Sequence, residues 1–167
     1  MYLAGADLFR PRWTDAIHAE WMRNLLDDRP DIAPKKADRI RDLMNAHVPD
    51  CLVTGYEDTI PTLDLPDADD RHVLAAAIRT GATAIVTFNL VDFPQDELAP
   101  HTVEAVHPDE FVLRLLREHS DATCAGLARH RASLKNPPKS VEEFLAILEQ
   151  GGLPETVATL RLVADSL

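Results

Sequence analysis

Apolar residues recur at helical spacing along most of the chain. Ile17, Trp21 and Leu25 recur every four residues and predict an amphipathic helix over residues 14–28, with Thr14 or Asp15 as its cap. The same spacing predicts further helices after Pro34, over residues 70–80 and from Pro108 to about residue 119. Gly81 is expected to end the third of these helices.

Short apolar runs between these helices predict strands. Residues 84–88, Ala-Ile-Val-Thr-Phe, form a continuous apolar run that is typical of a strand covered on both faces. Residues 51–54 and 103–106 are further strand candidates, and residues 57–69 are expected to form a loop. Helices and strands alternate, which predicts an α/β fold with a mostly parallel sheet.

The C-terminal part contains helices without strands. Residues 121–134 predict one helix, and Ser140 with Glu143 forms a capping box at the start of another. Pro154 opens a last helix after the Gly151-Gly152 pair. We therefore expect two domains, residues 1–118 with the α/β fold and residues 119–167 as a helical C-terminal extension.

Size and composition fit a globular domain with a small appendage. The chain has 167 residues, of which 46% are hydrophobic and 27% are charged. No apolar run approaches the length of a membrane-spanning helix, the N-terminal residues do not resemble a secretory signal, and the two cysteines lack metal-ligand spacing. A cytoplasmic location without a membrane partner is the resulting expectation.

The net charge of −11 argues against a surface that attracts nucleic acid at long range. Most of the acidic excess lies in the first 120 residues. A nucleic-acid function would therefore require local basic patches, or metal ions that neutralise a carboxylate cluster.

Three carboxylates occupy positions where they could form such a cluster. Glu20 lies beside the apolar stripe of the first helix, Asp70 lies at the start of the third, and Asp92 follows the strand at residues 84–88. Asn89 precedes Asp92 at the same end of that strand, where open α/β sheets bind ligands. Converging carboxylates repel one another unless a cation binds between them, and Mg²⁺ prefers oxygen ligands.

Each of these residues also has a purely structural interpretation. Asp70 could be a helix N-cap, Glu20 a surface residue paired with a neighbour, and Asp92 a turn residue. His72, two residues after Asp70, could approach a metal, but the favoured interpretation places it on the exposed side of that helix. Spacing alone leaves these alternatives open.

Two segments resemble a known family. Residues 65–77, Leu-Pro-Asp-Ala-Asp-Asp-Arg-His-Val-Leu-Ala-Ala-Ala, and residues 84–94, Ala-Ile-Val-Thr-Phe-Asn-Leu-Val-Asp-Phe-Pro, are similar to PIN-domain ribonucleases of the VapC toxin type. In that family an Asp opens an Ala-rich helix, and a strand ends in a Thr-x-Asn/Asp-x-x-Asp-Phe motif. The helix around residues 13–25 resembles the one that carries the family's second acidic residue, and the resemblance extends over about residues 1–118.

The resemblance implies a PIN-like three-layer fold and a metal-dependent endoribonuclease, the toxin of a type II toxin-antitoxin pair. It implies an RNA substrate, an antitoxin protein as partner, a homodimer, and Mg²⁺ or Mn²⁺ as cofactor. Glu20, Asp70 and Asp92 would be the catalytic and metal-binding residues, and a supporting set would comprise Asp67, Thr87 and Asn89. No residue is assigned to RNA binding.

The family's first strand, which ends in a further Asp, has no match here. Asp7 follows small residues instead of a β-branched run, so we expect the chain to start inside the family's first helix. The alternative hypothesis is therefore a catalytically impaired PIN-like module that binds antitoxin or RNA without cleaving it.

Overall fold

The computed structural model describes residues 2–162, which divide into two compact units. The first unit comprises Arg10–Ile85 and Asn89–Ala105, and the second comprises Tyr2–Phe9, Val86–Phe88 and the chain from Val106 onward. The expected domain boundary between residues 118 and 119 stays a prediction. Residues 163–167 of the expected extension lie outside the described residues.

The described residues form an α/β fold with a small parallel sheet. In chain order the elements are α1 (Asp15–Asp28), α2 (Pro34–His47), α3 (Arg71–Thr80), β1 (Ala84–Val86), α4 (Gln95–Leu98), β2 (Glu104–Val106), α5 (Pro108–Glu118), α6 (Ser120–Ser133), α7 (Val141–Gln150) and α8 (Pro154–Arg161). No helix in this part of the chain is both long and apolar enough to cross a bilayer.

The long helices begin and end close to where the sequence predicts. Thr14 caps α1, because its hydroxyl accepts the Ile17 N–H at 3.0 Å. Gly81 ends α3 with a φ of 62°, a left-handed conformation that glycine adopts without a steric cost. These boundaries depend on local signals, so the sequence alone indicates them correctly.

The strands are shorter than predicted. Residues 51–54 form no strand but a single parallel bridge between Leu52 and Trp13. β1 ends at Val86, and it is not covered on both faces: Ile85 is buried, whereas Val86 is 45% exposed. Side chains alternate between the faces of a strand, so the apolar run does not place every residue in the core. The predicted loop at residues 57–69 contains two 3-10 turns, Glu57–Thr62 and Ala68–Asp70.

The first unit has an apolar core that holds α3 and β1. Its buried residues include Leu74 of α3, Ile85 of β1 and Phe93 beyond it. Burial of such side chains stabilises the fold by about 2 kcal/mol each. The segments on either side of Asp70 and Asp92 are therefore anchored in the same core.

A buried polar network joins α1 to α2 in the same unit. Asn45 Oδ1 accepts the indole N–H of Trp13 at 2.7 Å and lies 3.0 Å from Nε2 of His18. The indole N–H of Trp21 donates to Nδ1 of His18 at 2.9 Å. Since an indole nitrogen only donates, Nδ1 of His18 accepts and Nε2 carries the proton. Both ring nitrogens of this buried histidine are thus satisfied.

The second unit has its own core of helices α5 to α8. Phe144, Leu145, Val157 and Leu160 are fully buried there. The predicted capping box is present: the Ser140 hydroxyl accepts the Glu143 N–H at 3.2 Å, and the Glu143 carboxylate accepts the Ser140 N–H at 2.9 Å.

Candidate functional site

Asp70 occupies the N-cap position of α3 without acting as a capping side chain. The 3-10 turn Ala68–Asp70 runs directly into α3, and Asp70 has φ −82° and ψ −9°. A capping residue is normally extended, which lets its side chain turn back to the helix N–H groups. The Asp70 side chain makes no such hydrogen bond. The capping interpretation therefore does not account for this carboxylate.

Asp67 lies at the start of the same turn. One oxygen of its carboxylate accepts the backbone N–H of Asp69 at 2.8 Å. This hydrogen bond fixes the side chain on the turn and leaves its second oxygen available. Sequence reasoning gave Asp67 only a supporting role, whereas the structure places it beside Asp70.

Asp92 ends the 3-10 turn Leu90–Asp92, which follows β1. The side-chain amide of Asn89 donates a hydrogen bond to the Asp92 carboxylate. Phe93 is 5% exposed and anchors the end of the turn in the core. Asp92 is thus both a turn residue and a carboxylate with a defined orientation.

These three aspartates converge. Asp67, Asp70 and Asp92 each offer a carboxylate oxygen, and these oxygens lie within 4.8 Å of one another. Asp67 is exposed and the other two are half-buried. The three side chains come from two chain segments separated by α3 and β1, so only the tertiary fold brings them together.

The environment of Asp70 is unfavourable to its negative charge. Burial raises the pKa of its carboxyl above the usual range, and the charges of Glu20, Asp67 and Asp92 raise it further, while His72 opposes the shift. A divalent cation would relieve this repulsion, and a donor set of carboxylate oxygens fits Mg²⁺ or Mn²⁺.

Glu20 and His72 lie beside this cluster. Glu20 Oε2 is 3.6 Å from Nε2 of His72, so the Glu20 carboxylate projects from α1 towards the start of α3. Glu20 is not one of the three residues whose oxygens converge, although its charge acts on Asp70. The His72 side chain is only 17% exposed. The interpretation that it lies on the exposed side of the helix is therefore wrong.

Thr87 and Asp7 both belong to the second unit. The backbone N–H of Thr87 donates to the Val106 carbonyl at 3.0 Å, next to the paired strands. Asp7 follows a 3-10 turn and has a left-handed backbone with φ 55°. Neither is among the residues that converge with Asp70.

The contact between Glu20 and His72 was missed by sequence reasoning. That reasoning considered His72 only in relation to Asp70, from which it points away on a helix. Its actual neighbour lies on α1, far away in the sequence, and no local pattern indicates such a pair.

The aspartate cluster lies beyond the end of a parallel strand, where open α/β sheets bind ligands. Comparisons with known proteins show which proteins this chain resembles. A family model described as the VapC50 C-terminal domain matches residues 108–162. This family model and the two motifs at residues 65–77 and 84–94 make the chain similar to VapC-type PIN-domain proteins.

A curated relative gives the more particular likeness. The chain is 38% identical over 112 residues to the "Putative ribonuclease VapC50" of Mycobacterium tuberculosis (strain ATCC 25618 / H37Rv). The match covers 67% of this chain and 65% of the relative, somewhat less than two thirds of the relative's own length. No solved structure matches the chain.

Proposed function

We propose that the protein is a metal-dependent endoribonuclease, the toxin of a type II toxin-antitoxin pair. The observation that carries this proposal is the convergence of Asp67, Asp70 and Asp92, whose carboxylate oxygens lie within 4.8 Å of one another. The similarity to a relative named as a ribonuclease supports RNA as the substrate.

The charge of the protein is compatible with an RNA substrate only if cations intervene. A net charge of −11 repels a polyanion, and the acidic cluster adds to this repulsion locally. Bound Mg²⁺ or Mn²⁺ at the cluster would offset most of the local negative charge and would offer an RNA phosphate a positively charged partner beside the carboxylates.

The residues have distinct roles in this mechanism. Asp67, Asp70 and Asp92 would hold the cation, and Glu20 would complete the acidic environment. Asn89 would orient the Asp92 carboxylate through its amide. The supporting role of Thr87 stays a prediction. When bound, the cation lowers the pKa of a water nucleophile and stabilises charge on the departing oxygen.

RNA cleavage by the Asp70→Asn variant tests this proposal. We expect wild-type protein to cleave RNA with Mg²⁺ or Mn²⁺ and not with EDTA, and Asp70→Asn to be inactive. Asp69→Asn is a matched control, because Asp69 is an exposed neighbour outside the cluster. Equal cleavage by wild type and Asp70→Asn would refute the role of Asp70.

A second candidate function is a module that binds antitoxin or RNA without cleaving. One observation favours it: among residues 2–162 the cluster holds three aspartates and no fourth carboxylate. This candidate predicts that the protein binds RNA or an antitoxin peptide and that divalent ions produce no cleavage.

The proposed partners follow from the resemblance to VapC-type proteins. We propose a cognate antitoxin, a homodimer and a cytoplasmic location for the active protein. Size-exclusion chromatography with light scattering tests the dimer, and co-purification with the product of an adjacent gene tests the antitoxin.

A further inference from the structure

We propose that His72 is a positioning residue that holds the Glu20 carboxylate beside the aspartate cluster. This inference rests on the proposed function and adds a residue to it. The juxtaposition that carries it is the 3.6 Å separation between Nε2 of His72 on α3 and Oε2 of Glu20 on α1.

Glu20 needs such a partner because it extends from a helix surface. Its side chain is 43% exposed, and a glutamate at that exposure samples several rotamers. His72 is 17% exposed and therefore more tightly held than Glu20. A rigid ring next to a flexible carboxylate selects the rotamers that direct the carboxylate to the cluster.

The neighbouring cationic side chain does not hold the Glu20 carboxylate. Arg71 is adjacent to His72 in the sequence, but its guanidinium binds the Asp64 carboxylate at 2.9 Å. Among the residues that the structure describes, His72 is thus the group placed to hold Glu20.

A comparison with His18 distinguishes this positioning role from a purely structural one. His18 is buried on α1 and uses both ring nitrogens, one towards Asn45 and one towards Trp21. Nδ1 of His72 is buried and has no hydrogen-bond partner in the described residues. An unsatisfied buried nitrogen costs stability, so the contribution of His72 to the fold does not explain its placement.

The test replaces His72 with side chains whose polar atoms extend to different distances from the backbone. The amide nitrogen of glutamine reaches about as far as Nε2 of histidine, whereas that of asparagine reaches only as far as Nδ1. We expect His72→Gln to keep wild-type Mn²⁺ affinity in calorimetric titration. We expect His72→Asn and His72→Leu to weaken it by about 10-fold, the usual effect of losing a residue that orients a ligand.

Stability and kinetics complete the test. His72→Leu removes the unsatisfied nitrogen, so its unfolding midpoint should equal or exceed that of wild type while metal binding weakens. In RNA cleavage we expect kcat to fall and KM for RNA to stay unchanged. In a Glu20→Gln background, His72→Leu should have no further effect, because His72 acts through Glu20.

The outcomes are distinguishable from failure of the proposed function. If Asp70→Asn weakens Mn²⁺ binding and His72→Leu and His72→Asn do not, the role of His72 is wrong and the metal site stands. The same conclusion follows if His72→Leu weakens binding equally in the Glu20→Gln background. If Asp70→Asn itself binds Mn²⁺ as wild type does, the proposed function fails.

Discussion

Two aspartates, each near the start of a helix, have opposite electrostatic environments. Asp70 precedes α3 in the first unit, accepts no capping hydrogen bond and lies among other carboxylates. Asp109 lies in the first turn of α5 in the second unit, and it is 6% exposed. Its carboxylate accepts the backbone N–H groups of Glu155 at 2.9 Å and of Thr156 at 2.8 Å, at the start of α8.

The pKa values of the two carboxyl groups shift in opposite directions. Burial by itself would raise the pKa of Asp109, but hydrogen bonds from Thr156 and the backbone N–H of Glu155 lower it below the usual value. Burial also raises the pKa of Asp70, and neighbouring carboxylates add to this shift. Hydrogen-bond donors thus mark Asp109 as a structural residue, whereas Asp70 accepts no hydrogen bond from the described residues and is suited to hold a cation.

The largest expected effect is on catalysis by Asp70→Asn. Cleavage of RNA should be abolished, because the variant removes a charge that holds the cation. The free energy of unfolding without divalent ions should equal or exceed that of wild type, since repulsion is relieved. Urea denaturation in EDTA measures this, and a strong loss of stability would show that Asp70 is a structural residue instead.

Asp109→Ala should lower the free energy of unfolding, in contrast to Asp70→Asn. It leaves the buried N–H of Thr156 and the half-buried N–H of Glu155 without their acceptor and should cost about 3 kcal/mol of unfolding free energy. The exposed Asp121 provides the control, since Asp121→Ala should change stability little. A cost for Asp109→Ala no larger than for the control would contradict the structural role assigned to Asp109.

A smaller effect on activity is expected for Asn89→Ala. The variant removes the amide that donates to Asp92, so the carboxylate loses its fixed orientation. Cleavage should fall by about 10-fold. Asn24→Ala, at an exposed position on α1, is the control. Unchanged cleavage by Asn89→Ala would argue that Asp92 is oriented by the turn alone.

The dependence of stability on pH should separate the two aspartates. Because the folded-state pKa of Asp70 is raised, its favourable contribution is complete below the ordinary aspartate value of 3.8 and is lost as the pH rises through the raised pKa. The pKa of Asp109 is lowered, so its contribution is present above 3.8 and is lost as the pH falls through the lowered pKa.

Both pH dependences can be tested in EDTA. The measurement is the unfolding free energy of wild type, Asp70→Asn and Asp109→Asn at pH values below and above 3.8. The difference between wild type and Asp70→Asn should grow in favour of the variant as the pH rises. The difference between wild type and Asp109→Asn should shrink as the pH falls. If either difference in unfolding free energy changed in the opposite direction with pH, the environment assigned to that aspartate would be contradicted.

Local signals account for what the sequence predicts well. The Thr14 cap, Gly81 and the Ser140 capping box depend on residues within three or four positions, and the structure confirms them. Strand extent depends on pairing with distant segments, and the predicted strand at residues 51–54 reduces to one bridge with Trp13.

In the candidate site, too, local signals indicate some residues, whereas other contacts depend on tertiary packing. Asp70 and Asp92 become candidates from their positions at a helix start and after a strand, together with the two motifs that resemble the family. The hydrogen bonds from the start of α8 to Asp109 span 46 and 47 residues, and the approach of His72 to Glu20 joins two helices. Such contacts depend on tertiary packing, which periodicity and spacing do not specify.

Calorimetric titration of Mn²⁺ into the full chain tests the central claim most directly. We predict saturable binding to wild type and to Asp69→Asn, with binding lost or strongly weakened in Asp70→Asn. Absence of binding to wild type, or equal binding to all three proteins, would contradict the claim that the aspartate cluster is a metal site.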